Sequence, residues 1–422
     1  EWFSRQTELG IIPEGTQLAP RNPGVDAWDD LSDGAKKLAC KLQEAFAGFL
    51  DHTDDQIGRL VSYLDQAGEI DNTIICLMAD NGASQEGGPQ GVSAGERYSH
   101  PHLDDLDNID DVLPDIGTPK SDPNYPWGWS QAGNTPLKWY KSTTHAGGVR
   151  DPLLVHWPDG IKNTGGVRHQ FTHVTDIVPT LLDVLNITPK DSYQGYPQMP
   201  IPDNSFAYTF EDPDVPADRG PQYFEMFGHR AIWADGWKAV ARHVKNDPIS
   251  DEEWELYHLD EDFSECNNLA EAEPEKLREL IDLWWVEAGK NGVLPIDDRS
   301  FQLTGISKRP GGIHDGLKYH YTPPVSRLPG SIAPPLGMGE WTFDAEIERG
   351  DSSVEGVLFA RGSHTSGLSI YVKNNRLHFD YNCFTEILTG SSETELPVGR
   401  CTVTVRFEGE GIGGEGQVTL LV

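Results

Sequence analysis

No stretch of this sequence approaches 18 consecutive apolar residues, so it offers no candidate for a membrane-spanning helix. Cysteine is scarce. The five at positions 40, 76, 266, 383 and 401 form no CxxC pair and no close-spaced framework, which argues against a thiolate zinc site and a disulfide scaffold. Basic charge is short as well: 33 lysines and arginines face 67 acidic residues, a formal net charge of −34. Phosphates would be repelled over most of such a surface, so nucleic acid and anionic membranes are not expected partners. The start, Glu1-Trp-Phe-Ser-Arg, shows neither a methionine nor a signal-peptide pattern, and the end falls inside the apolar run Val418-Thr-Leu-Leu-Val422. Both read as the edges of an interior piece of a longer protein.

What is present suffices for folding. The 422 residues are 37% hydrophobic and 9% aromatic, enough for a large core and about two or three domains. Between Ala45 and Leu64, Phe46, Phe49, Leu50, Ile57, Leu60, Val61 and Leu64 follow helical spacing, and Gly68 supplies a stop. Ile74-Ile-Cys-Leu-Met-Ala79 and Pro152-Leu-Leu-Val-His-Trp157 are short unbroken apolar runs, the pattern of buried strands in a parallel sheet. A helix is expected from about Thr175 to Leu185, capped by Thr175 or Asp176 with Pro179 in its first turn, and another from Pro274 to Lys290. Four short strands are expected near residues 223–227, 230–233, 237–242 and 255–259. Proline and glycine dominate 301–339, which reads as a linker. Beyond it the apolar period becomes two, with a hairpin expected across Asn374-Asn375, so 340–422 reads as a β-sandwich that is incomplete at its end.

Asp80-Asn-Gly82 is a hairpin signal by composition, but the small-residue loop that follows supplies no second strand. In an open α/β sheet, ligands bind beyond the carboxyl ends of strands, where Asp80 and Asn81 would sit. A carboxylate beside an amide carbonyl suits a hard cation such as Ca²⁺ or Mg²⁺, although two residues cannot fill its shell. Ahead of the next apolar run stands Lys138-Trp-Tyr-Lys-Ser-Thr-Thr-His-Ala-Gly-Gly-Val-Arg150. A cation together with a lysine ammonium would neutralise an anionic ester.

The ordered set Asp54-Asp-Gln-Ile-Gly-Arg-Leu, Asp71-Asn-Thr-Ile-Ile, Asp80-Asn-Gly, Asn134-Thr-Pro-Leu-Lys, Lys141-Ser-Thr-Thr-His-Ala-Gly-Gly-Val-Arg, Val155-His-Trp-Pro and Thr172-His-Val-Thr-Asp-Ile-Val-Pro-Thr-Leu-Leu-Asp resembles the sulfatase family, in particular its bacterial arylsulfatases. The resemblance covers about residues 1–300. It implies an α/β fold of alkaline-phosphatase-like type, a central sheet flanked by helices, truncated here at its N-terminus. It also implies hydrolysis of an aryl or carbohydrate sulfate ester at a divalent-cation site, usually calcium. Asp80 and Asn81 match the family's second pair of metal ligands, and Lys141 the lysine that contacts the sulfate. His145 lies close by and is a candidate to face the leaving group. Where the family commonly has glutamate this chain has Ala146.

The family's nucleophile is a formylglycine made from the first residue of a Cys- or Ser-x-Pro-x-Arg motif, and none of the 422 residues begins one. The piece alone is therefore expected to have no turnover, with the remaining metal ligands also outside it. A phosphodiesterase or phosphonate hydrolase of the same superfamily would use the same cation and lysine. A non-catalytic glycan-binding protein is the reading from a different class, resting on Trp341, Tyr371, Phe379 and Tyr381, although alternate strand positions more often face a sandwich core. Two further clusters have the residue types of a metal-binding set, His100, His102, Asp104 and Asp105, and His52, Asp54 and Asp55, but the first reads rather as an acidic surface loop and the second as a polar helix face. Trp127, Trp129 and Trp139 either stack on a leaving group or pack the core.

Overall fold

The computed structural model describes residues 1–93, 104–201, 204–298, 318–322, 325, 328, 334, 336, 340–362, 366–383, 386–409 and 416–422. His100, His102 and most of the expected linker lie outside the described residues. The chain forms two compact units, one of residues 1–91 and 125–300, the other of residues 92–124 and 301–422.

In the first unit, α1 (Trp2–Glu8) precedes the long helix α2 (Asp33–Ala67). Ser32 starts α2 by accepting the Ala35 N–H on its hydroxyl at 3.2 Å, and Gly68 ends it at φ 73°, a left-handed conformation that glycine adopts without strain. The helix begins well ahead of the periodic stretch, and its buried residues, Leu38, Ala39 and Leu42, lie in that earlier part. Phe49 and Leu60, on the predicted stripe, are exposed.

Strand β1 (Ile75–Met78) pairs with β2 (Leu153–His156), but the ladder is antiparallel, from Ile75 opposite His156 to Met78 opposite Leu153. This corrects the expectation of parallel strands. An apolar run carries no direction; the connection sets it, and here the chain between the strands does not return to the start of β1 before entering β2. The described residues of that connection include the short α-helices α3 (Trp127–Gly133) and α4 (Ala146–Val149), the latter a single turn.

After β2, the turn at Val174–Asp176 leads into α5 (Ile177–Val184). His173 caps this turn, and the Asp176 carboxylate accepts the His173 N–H at 2.8 Å; Asp176, one of the two candidates, stands at the start of α5 itself, without a side-chain bond to that helix. A small hairpin, β3 (Ser192–Tyr193) with β4 (Tyr196–Pro197), precedes a four-stranded antiparallel meander: β5 (Gln222–Met226), β6 (His229–Ala234), β7 (Trp237–Ala241) and β8 (Trp254–His258). Helix α6 (Pro274–Lys290) packs on it through Leu280, Ile281, Trp284 and Ala288, against Ile232, Ala239, Trp254 and Leu256. Trp284 is fully buried and its indole N–H donates to the Phe224 carbonyl at 3.0 Å, fixing the helix in register on the sheet.

The second unit holds β9 (Trp341–Arg349), β10 (Gly356–Gly362), β11 (Ser366–Lys373), β12 (Arg376–Cys383), β13 (Glu386–Ser391), β14 (Gly399–Gly409) and β15 (Gly416–Leu421). They form sheets of order β10-β11-β12-β13 and β15-β14-β9. Ile370, Leu377, Phe379, Val403 and Val405 bury the alternate positions of both sheets in one core, with Trp341 packed against it. Asn374 and Asn375, at φ 50° and 59°, make the two-residue turn of the β11–β12 hairpin. In the same unit Asp104 is buried and spent on Ser93, accepting from its N–H at 2.7 Å and its hydroxyl at 2.6 Å, while Asp105 caps a short helical turn. No helix among the described residues is long and apolar enough to cross a membrane.

Candidate active site

The loop that leaves β1 and the loop that enters β2 are one construction. Gly82 is the contact point. A methyl group built there would lie 1.7 Å from the Gly147 carbonyl oxygen, and the Gly82 N–H donates to the Gly148 carbonyl at 3.3 Å. Gly147 and Gly148 are as tightly enclosed: a methyl group at the first would meet the Trp139 carbonyl oxygen at 2.1 Å, and at the second the Thr143 carbonyl oxygen at 2.2 Å. The glycines of both motifs thus serve close approach of backbone to backbone.

Asn134 ties the two loops together. Its side-chain oxygen accepts the Ala83 N–H at 2.9 Å, and its side-chain nitrogen donates to the carbonyls of Trp139 and Gly147 at 3.0 and 2.7 Å. Lys141 closes the construction from the other side, donating its backbone N–H to the Ala83 carbonyl at 3.1 Å. Asp80 is exposed and Asn81 half-buried, so both stand where a ligand can reach them, on a loop bonded directly to the one that carries Lys141.

The antiparallel register adds a residue that sequence reasoning missed. It brings Asp151, just ahead of β2, beside Asp80, just beyond β1. Burial and the neighbouring Asp80 charge push the Asp151 carboxyl up to about 6. Two carboxylates in one field with an amide beside them are hard oxygen donors of the kind calcium and magnesium take. Among the described residues no group of three or more His, Cys, Asp and Glu is placed to hold a metal.

Lys141 is half-exposed, and its ammonium lies 2.7 Å from the Glu86 carboxylate. His145 is placed differently. It is 1% exposed, and its Nε2 lies 2.9 Å from Glu255 on β8. Burial lowers its pKa; a carboxylate oxygen only accepts, so Nε2 donates to Glu255, and Nδ1 has no hydrogen-bond partner among the described residues. Glu255 also accepts from Tyr257 Oη at 2.6 Å and from Lys138 Nζ at 3.3 Å. Burial works to raise this carboxyl; the bonds from His145 and Tyr257 and the Lys138 charge outweigh it and hold the group at about 2. A second carboxylate, fully buried Glu265, accepts the Ala146 N–H at 2.9 Å and pairs with buried Lys238 at 2.6 Å. The turn therefore has a carboxylate at Ala146 after all, supplied from after β8. Neither glutamate carries a sequence signal toward this turn, since Glu255 lies 110 positions from His145 and Glu265 lies 119 from Ala146.

The tryptophans pack. Trp139 is 6% exposed beneath the Arg242 guanidinium, Trp127 donates its indole N–H to the Gln85 carbonyl, and Trp129 donates to the Ala39 carbonyl. His52, Asp54 and Asp55 are exposed on α2.

Residues 19–187 match the sulfatase family model, and residues 137–282 match the model of the C-terminal region of N-sulphoglucosamine sulphohydrolase. An uncharacterised sulfatase of Schizosaccharomyces pombe is 32% identical over 297 residues, covering 69% of this chain and 52% of that protein. The arylsulfatase of Klebsiella aerogenes is 29% identical over 200 residues, covering 47% of this chain and 41% of the relative. The crystal structure of Ps i-CgsB in complex with k-i-k-neocarrahexaose superposes with a TM-score of 0.41 at 19% identity, over 68% of this chain and 51% of that one. The chain spans about half the length of the curated relatives it matches. From residue 19 to residue 282 it belongs to the sulfatase family, of alkaline-phosphatase-like α/β fold, with a β-rich region following.

Proposed function

We propose that the chain is part of a sulfuric ester hydrolase of arylsulfatase type, acting on an aryl or carbohydrate sulfate. The observation that carries the reading is the direct bonding of the two loops: Ala83, two residues beyond Asn81, accepts the Lys141 N–H, and Asn134 braces both. One rigid edge thus presents hard oxygen donors and a lysine ammonium together.

Asp80 and Asn81 would hold a divalent cation, Ca²⁺ on the chemistry of oxygen donors, with Mg²⁺ the alternative; Asp151 lies near enough to share its field. When bound, the cation withdraws charge from the ester oxygens. Lys141 contacts the sulfate and neutralises the charge the ester carries there. His145 is assigned a positioning role: enclosed and bonded to Glu255, it fixes the turn that follows Lys141. No residue of the 422 begins a formylglycine motif, so the nucleophile is proposed to come from outside this chain, and the chain alone to lack turnover. The test is hydrolysis of para-nitrophenyl sulfate by the 422-residue chain and by the longer gene product. Turnover only in the longer product is expected; turnover by the chain alone, or none in either, contradicts the proposal.

A further inference from the structure

Glu86 stands where the foregoing reading needs an anion. Its Oε1 lies 2.7 Å from Lys141 Nζ, and its Oε2 accepts the Ser84 hydroxyl at 2.7 Å. The Glu86 N–H in turn donates to the Ser84 hydroxyl oxygen at 3.3 Å. The loop beneath is braced, with the Ser84 carbonyl accepting Ser130 Oγ and the Gln85 carbonyl accepting the Trp127 indole N–H at 2.9 Å. Burial works to raise the Glu86 carboxyl, and Lys141 and Ser84 outweigh it, so the group stays ionised beside the lysine.

A sulfate monoester carries one negative charge near neutral pH, whereas a phosphate monoester carries about 1.5–2. A fixed carboxylate at the same lysine repels the more highly charged ester more strongly. We propose that Glu86 is a specificity-determining residue that matches the anion subsite to singly charged esters: by cancelling one positive charge at Lys141, it favours sulfate monoesters over phosphate monoesters. This rests on the reading of Lys141 as the ester's contact. Both side chains are part-exposed, at 31% for Lys141 and 43% for Glu86, so solvent screens the effect. A change of about tenfold in the ratio of affinities is the expected order for one unit charge at contact distance under such screening.

The experiment measures dissociation constants of para-nitrophenyl sulfate and para-nitrophenyl phosphate by NMR titration of the 422-residue chain with calcium, near neutral pH. The wild type is compared with Glu86→Gln, which keeps the shape and the Ser84 contact, and with Lys141→Ala. The wild type should prefer the sulfate ester. Glu86→Gln should narrow that preference about tenfold, chiefly by tightening the phosphate ester, and Lys141→Ala should weaken both probes. If Glu86→Gln leaves the ratio unchanged while Lys141→Ala weakens both, Glu86 does not set specificity and the reading of Lys141 stands. If Lys141→Ala changes neither, or the wild type binds neither, the reading of Lys141 fails and this inference falls with it.

Discussion

His145 donates from Nε2 to the Glu255 carboxylate at 2.9 Å, joining the turn after Lys141 to the last strand of the β5–β8 meander. Through this bond the C-terminal sheet of the unit holds the candidate site in place.

Acid should loosen it. Glu255 is held at about 2 against an ordinary 4.5, so its contribution to stability is complete above about 4.5 and is lost as the pH falls toward about 2. Glu255→Gln should cost about 1–3 kcal/mol near neutral pH and flatten part of the acid-side decline in melting temperature. An unchanged acid limb in the variant would show that this carboxylate does not carry the effect.

Gly82→Ala should separate the two loops. With 1.7 Å between the new methyl group and the Gly147 carbonyl oxygen, backbone has to move, at a cost of about 2–3 kcal/mol or more. Urea unfolding should show the loss, and hydrogen exchange should speed at the amides of residue 82 and Lys141. Wild-type stability and exchange would contradict the enclosed geometry.

Asn134→Ala removes three hydrogen bonds at once and strands the Ala83 N–H. We expect a loss of about 2–4 kcal/mol and faster exchange at Ala83. A loss below about 0.5 kcal/mol, within the usual range for a surface substitution, would mean that the bridge is dispensable.

The buried pair Lys238 and Glu265 should respond asymmetrically. Glu265→Gln leaves an uncompensated buried ammonium and should cost about 3–5 kcal/mol; adding Lys238→Met should recover more than half. A double variant no more stable than the single one would show that the pairing charge is not the cause.

Local elements were legible where a local cause exists. The 274–290 helix starts at its proline as read, Gly68 ends α2, and Asn374-Asn375 turns the β11–β12 hairpin, because caps, stops and turn residues act within a few positions. The direction of β2 against β1 was not legible, since both runs are apolar whichever way they pair. The stripe on α2 gave the helix but not its burial, as Phe49 and Leu60 show. At the site, the motifs led to Asp80, Asn81 and Lys141, and Asn134 was visible only as a motif letter. Asp151, Glu86, Glu255 and Glu265 became visible only through tertiary contacts, for a single polar residue has no periodicity to announce its partner.

The central claim is that the Asp80-Asn81 loop and the Lys141 loop form one site for a cation and a sulfate ester. Calorimetric titration of para-nitrophenyl sulfate into the chain, with calcium and with a chelator, tests it most directly. Binding should be tighter with calcium, the ester should tighten calcium by the same factor, and Asp80→Ala should abolish that coupling. Equal ester affinity with and without calcium, in a wild type that binds both, would contradict it.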